Sequence, residues 1–123
     1  MEVHVLASGS SGNAVYIKSE QTSILIDAGI SARKITTALE SVGASAAELD
    51  AVLITHEHDD HVKGLQTLLK KYRIPVYAKP AAWQSIGFKE PPPDNCYRGM
   101  PDSISVGTMK IEPFAISHDA ADP

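Results

Sequence analysis

A single cysteine, Cys96, excludes a disulfide framework within the chain and fits a reducing cytoplasm. Aromatic residues are scarce at 6%, yet 43% hydrophobic and 21% charged residues keep the 123-residue chain within the range of one soluble globular domain. A domain of this size buries roughly two-thirds of its unfolded surface and needs no covalent staples. No apolar run approaches the roughly 18 residues of a membrane span, which predicts no membrane association. The opening residues Met1-Glu2-Val3-His4-Val5-Leu6 lack Lys and Arg and alternate like a strand, so they do not read as a secretory leader, and the domain is expected to start at once. Cations are also outnumbered, with 11 Lys and Arg against 15 Asp and Glu for a net charge of -4. That balance argues against wholesale electrostatic capture of nucleic acid and leaves room for a local phosphate site.

What is present reads as short strands followed by strand and helix in alternation. Val3–Ala7, Ala14–Lys18 and Ser23–Asp27 are apolar or alternating runs separated by Gly, Ser and Gln-Thr clusters, which predicts a three-stranded meander. Ser31 is placed to cap a helix through Val42, with Ile35, Ala38, Leu39 and Val42 on one stripe and Gly43 as its stop. Ala51–Ile54 is continuously apolar, as in a strand covered on both faces, and runs directly into His56-Glu57-His58-Asp59-Asp60-His61. Val62, Leu65, Leu69 and Tyr72 then mark a second helix. Ile74–Ala78 reads as an edge strand because Pro75 removes a ladder donor, and Pro80 suits the first turn of a short helix to Ile86. The proline-rich stretch from Lys89 to Pro101 reads as a loop, and Ser103–Val106 with Met109–Ile116 as a closing hairpin.

The polar cluster therefore sits where open α/β sheets place ligands, at the carboxyl end of a strand. On a strand exit His56 and His58, two positions apart, can turn toward one centre, while Asp60 and His61 at the following helix start point to a neighbouring one. Imidazole with carboxylate suits Zn, Mn or Fe, and two adjacent metal sites are the economical explanation of so many polar groups after a buried strand. The alternative is a solvated polar loop, but the spacing is a definite ligand spacing. The Ser8-Gly9-Ser10-Ser11-Gly12-Asn13 loop has two readings: Ser10, Gly12 and Asn13 form a backbone nest for a substrate phosphate oxygen, or the loop is a tight turn. Lys63, Lys70, Lys71 and Arg73 form a modest basic stretch whose default meaning is a solvated helix face.

His56-Glu57-His58-Asp59-Asp60-His61 resembles the His-x-His-x-Asp-His signature of the metallo-β-lactamase superfamily. With the Ser-Gly-rich loop, Ile24-Leu25-Ile26-Asp27-Ala28-Gly29, Thr55, and Ile116-Ser117-His118-Asp119-Ala120-Ala121-Asp122-Pro123, the whole chain looks like the WalJ/YycJ branch of that superfamily. The resemblance implies that His56, His58 and His118 hold one divalent metal ion and that Asp60 and His61 hold a second, with Asp60 also in the catalytic role. Asp27 would orient these ligands, as metal sites require; its plainer reading is a strand-terminal residue opening a turn with Ala28-Gly29.

The implied fold class is α/β (α+β), with residues 1–123 forming the N-terminal half of an αββα sandwich. The second half, which would supply a bridging Asp and a further His, is absent, so another copy or that second half would be needed to cover the sheet. The implied activity is a cytoplasmic metal-dependent hydrolase with two ions, Zn or Mn and less expectedly Fe. It would act on DNA as a phosphodiesterase or 5′-exonuclease through a metal-activated water. The alternatives are a thioester, lactone or β-lactam hydrolase on the same metals, or a non-catalytic metal-binding module. A di-iron oxygen-reducing relative is less expected, because those carry Glu where His58 stands.

Overall fold

The computed structural model describes residues 2–8, 12–55, 64–79, 83, 97, 104–106 and 109–111. Strands β1 (Glu2–Ala7), β2 (Ala14–Ser19) and β3 (Thr22–Ile26) form the expected antiparallel meander. Two parallel strands, β4 (Ala51–Leu53) and β5 (Val76–Tyr77), extend it to a five-stranded mixed sheet in the order β1-β2-β3-β4-β5. The meander needs only tight turns, whereas each parallel step needs a crossover, and helices α1 (Ala32–Ser41) and α2 (Leu65–Tyr72) supply them. A separate antiparallel pair, β6 (Ile104–Val106) and β7 (Met109–Ile111), forms part of the expected closing hairpin, whose Ser103 and residues 112–116 lie outside the described residues.

Local chemistry sets the ends of α1. The Ser31 Oγ accepts from the Lys34 N–H at 3.2 Å, satisfying one of the donors left over at a helix start. At the other end Gly43 adopts φ 78° and the Ala44 N–H donates back to the Leu39 carbonyl at 2.8 Å, a glycine stop as the sequence predicts. β5 is shorter than the expected Ile74–Ala78. Pro75 has no N–H to extend the ladder, although its carbonyl accepts from the Val52 N–H at 2.9 Å. A one-turn 3-10 helix over Ala46–Glu48, absent from the sequence reading, is announced by Ser45 three residues before Glu48; the Ser45 Oγ accepts from the Ala47 N–H at 3.2 Å. The short helix expected from Pro80 and the loop expected from Lys89 lie outside the described residues, apart from Trp83 and Tyr97, whose rings stack at 4.5 Å.

The two faces of the sheet are covered unequally. Tyr16, Leu25, Val52 and Val76 face the helices and pack with Ile35 and Leu39 of α1 and Leu65, Leu68 and Leu69 of α2, all buried. Each such side chain contributes about 1.5–3 kcal/mol on leaving water, so this layer is the main source of stability. On the reverse face Ile24, Ala51 and Leu53 are buried with Val106, but the cover thins toward β1, where Val3 and Val5 remain 58% and 64% exposed. His4, between them on the helix side of β1, hydrogen-bonds Glu2 at 3.3 Å and stacks on Tyr16.

Candidate metal centre

β3 and β4 run parallel in register, Ile24 opposite Ala51 and Ile26 opposite Leu53, so both end at the same edge of the molecule. Beyond that edge Asp27 leaves the strand in the left-handed region at φ 66°, a conformation that Asp tolerates better than most residues. Its N–H donates to the Leu53 carbonyl at 2.8 Å. Its carboxylate bonds two residues further along the same segment: Oδ1 accepts from the Thr55 N–H at 2.8 Å and Oδ2 from the Thr55 hydroxyl at 2.6 Å. The side chain is 5% exposed, a burial that would be costly for a carboxylate without such charge-assisted donors. Asp27 thereby fixes both the backbone and the side chain of the residue immediately before His56.

The far end of the His/Asp segment is tied to the same turn. The Gly64 N–H donates to the Ala28 carbonyl at 2.7 Å. A Cβ on Gly64 would stand 2.2 Å from the Ile30 carbonyl oxygen, so only glycine permits this approach. The loop joining β1 and β2 reaches the turn as well: the Gly29 N–H donates to the Asn13 carbonyl at 2.8 Å, and a Cβ on Gly12 would lie 2.5 Å from the Gly29 carbonyl oxygen. The turn of residues 27–30 is thus a hub on which three chain segments converge.

Of the residues singled out from sequence, Asp27, Gly12 and Asn13 meet at this hub. His56, His58, Asp60, His61, His118 and Ser10 lie outside the described residues. Among the described residues no three His, Cys, Asp or Glu side chains gather as a metal-binding group. The fit of a metal therefore rests on the donor chemistry of the His56–His61 segment and on its two anchors, Thr55 and Gly64, held by the adjacent residues Asp27 and Ala28. Fixing both ends lowers the chain entropy lost when such a segment closes on an ion, so the residues present fit a bound metal. Nothing local in the sequence marks Gly64 as an anchor, and Thr55 stands out only as part of the family-like pattern.

Residues 7–116 match the family model described as the metallo-beta-lactamase superfamily, and the chain belongs to that superfamily. It is 38% identical to the exodeoxyribonuclease WalJ of Streptococcus pneumoniae serotype 2 (strain D39 / NCTC 7466), over 97% of this chain and 46% of that protein. It is 35% identical to the exodeoxyribonuclease YycJ of Bacillus anthracis, with the same shares covered. Among solved structures, the Rm3 metallo-beta-lactamase superposes with a TM-score of 0.72 at 27% identity, covering 88% of this chain and 46% of that one. The chain spans about half the length of the curated relatives it matches. No helix among the described residues is long and apolar enough to cross a membrane.

Proposed function

We propose that the chain is the N-terminal, metal-binding half of a metal-dependent phosphodiesterase that degrades DNA, in the manner of a 5′-exonuclease. The observation that carries this reading is the buried Asp27 carboxylate gripping Thr55, the residue immediately before His56. The exodeoxyribonuclease names of the relatives support DNA as the substrate. His56, His58 and His118 would hold one divalent ion and Asp60 and His61 a second, Zn or Mn. When bound, such ions acidify water and neutralise charge on a phosphoryl group.

The remaining work falls to this chain's own groups. Asp27 holds the entry to the ligand segment rigid, so that His56 and His58 need not be ordered anew at each binding event. Asp60 is the catalytic carboxylate. Ser10 and Asn13, in the loop that meets the turn, would donate to a substrate phosphate, while Gly12 is small for the packing reason given above. The thinly covered Val3 and Val5 face is where the second half of the sandwich would pack, bringing the remaining site residues with it.

The test is degradation of a 5′-labelled DNA strand by the full-length protein with Mn or Zn. His58→Ala and Asp60→Asn should each lower activity by more than the roughly 10- to 100-fold typical of losing an outer partner of a metal site. Cleavage of a thioester, lactone or β-lactam with DNA left intact would overturn the substrate. Tight metal binding with no turnover of any of these would return the chain to the class of metal-binding modules.

A further inference from the structure

The charge of this chain is unevenly placed. No Asp or Glu occurs between Asp60 and Glu90, whereas six of the 11 cations, Lys63, Lys70, Lys71, Arg73, Lys79 and Lys89, lie in that interval. A net charge of -4 therefore conceals a wholly basic stretch that follows directly on the candidate ligand segment. Lys70, Lys71 and Arg73 are exposed and gather where α2 ends, with the Lys71 Nζ 5.5 Å from the centre of the Tyr72 ring.

The position of this face is set by the hub. α2 starts at Gly64, bonded to Ala28 beside the buried Asp27, and leads away from it. Eight residues at 1.5 Å each carry the helix about 12 Å, the axial length of roughly three to four phosphates along one strand. Cations at a helix C-terminus also answer the helix dipole, which is sufficient reason for Lys70 and Lys71. It is not sufficient reason for Arg73, which ends the helix at φ 50° and ψ 48°, where glycine or asparagine fits without strain. Nor does it bear on the absence of acidic residues over the whole interval.

We infer that the Lys70, Lys71 and Arg73 face binds the phosphate backbone of a nucleic-acid strand several nucleotides from the bond to be cut, guiding the strand to the site. This rests on the phosphodiesterase reading and adds to it where the strand runs.

The experiment is equilibrium binding of a fluorescein-labelled 12-nucleotide DNA strand in EDTA, where no turnover occurs, across a range of salt. Three proteins are compared: the parent, Lys70→Gln/Lys71→Gln/Arg73→Gln, and Arg33→Gln/Lys34→Gln, which removes two exposed cations from α1 instead. Gln is as good a helix former as Lys, and the buried Leu65, Leu68 and Leu69 are untouched, so α2 should persist; Lys71→Gln alone is the milder variant. The triple variant should flatten the slope of log Kd against log salt by about two, at roughly 0.7 per lost contact, and weaken binding about ten-fold or more near 50 mM salt. The α1 variant should stay within about two-fold of the parent. Equal slopes for parent and triple variant would overturn the inference and leave the nuclease reading standing. A parent that binds no strand would overturn it too, and hydrolysis of bis(p-nitrophenyl) phosphate by the full-length protein would then show whether the phosphodiesterase reading falls with it. Tighter binding to phosphatidylserine vesicles than to the strand, lost in the triple variant, would assign the face to a lipid surface and equally overturn it.

Discussion

Two aspartates cross-link the central strands β3 and β4, one at each end. At the start of the pair Asp50 precedes β4 and accepts from the Ser23 N–H at 2.8 Å, while the Ser23 hydroxyl donates to the Glu48 carbonyl at 2.9 Å. At the finish Asp27 follows β3 and accepts twice from Thr55. The bonding is alike and the surroundings are not. Asp50 is exposed, and its partner Ser23, although itself 5% exposed, lines a cleft of about 190 Å³ with Lys18, Glu20, Gln21 and Ser45. Asp27 is buried and left-handed, and Gly12 and Gly64 approach the backbone just after it, at Gly29 and Ile30, too closely for any Cβ. The lesson is that one end is merely closed, whereas the other is held rigid at an energetic cost, and the rigid end carries the His/Asp segment.

Substitutions at the two ends should separate by size of effect. The largest is expected at Gly64, where alanine collides with backbone rather than with a movable side chain. Gly64→Ala should reach or exceed the upper end of the roughly 1–3 kcal/mol that overpacking costs, read as a fall in the denaturant midpoint. Next comes Asp27→Ala, which removes both bonds from the exposed Thr55 to a charged acceptor and puts alanine at φ 66°, for a loss of about 2–4 kcal/mol. Asp27→Asn tolerates the backbone and keeps one acceptor, so about 1 kcal/mol should suffice for it. If Asp27→Ala were as mild as Asp27→Asn, the rigid-end account would lose its energetic basis.

At the open end Asp50→Ala removes one acceptor from the Ser23 N–H without putting any residue into the left-handed region, so it should cost about 1 kcal/mol, less than Asp27→Ala. The smallest effect is of opposite sign. Arg73→Gly removes a left-handed non-glycine residue and should raise stability by about 0.5–1 kcal/mol, a shift of a few degrees in thermal unfolding. A neutral or destabilising result there would mean that Arg73 makes compensating contacts in the folded chain, sharpening its part in the contrast.

Much of this architecture was legible from local pattern. The meander, the Ser31 cap, the Gly43 stop and the step from a buried strand into a polar cluster are all set by neighbours within a few residues, where propensity and spacing act directly. The hub was not. Asp27 and Thr55 stand 28 positions apart and Ser23 and Asp50 27, so their pairing depends on the parallel register of β3 and β4, which no local signal specifies. Asp27 could be read from the sequence as an orienting residue or as a plain turn former. In the structure it opens a turn and also holds Thr55, the residue leading into the candidate ligand segment. Gly64 gave no warning, because the need for glycine arises from Ile30, far away in sequence.

The measurement that bears most directly on this account is Zn²⁺ affinity, by competition with a chromophoric chelator, of the parent, Asp27→Asn, Asp50→Asn and His56→Ala/His58→Ala. The rigid-end account predicts that the double histidine variant loses the tight site, that Asp27→Asn weakens it by roughly 10- to 100-fold, and that Asp50→Asn leaves it unchanged. Parent-like affinity in Asp27→Asn, or an equal loss in Asp50→Asn, would contradict it.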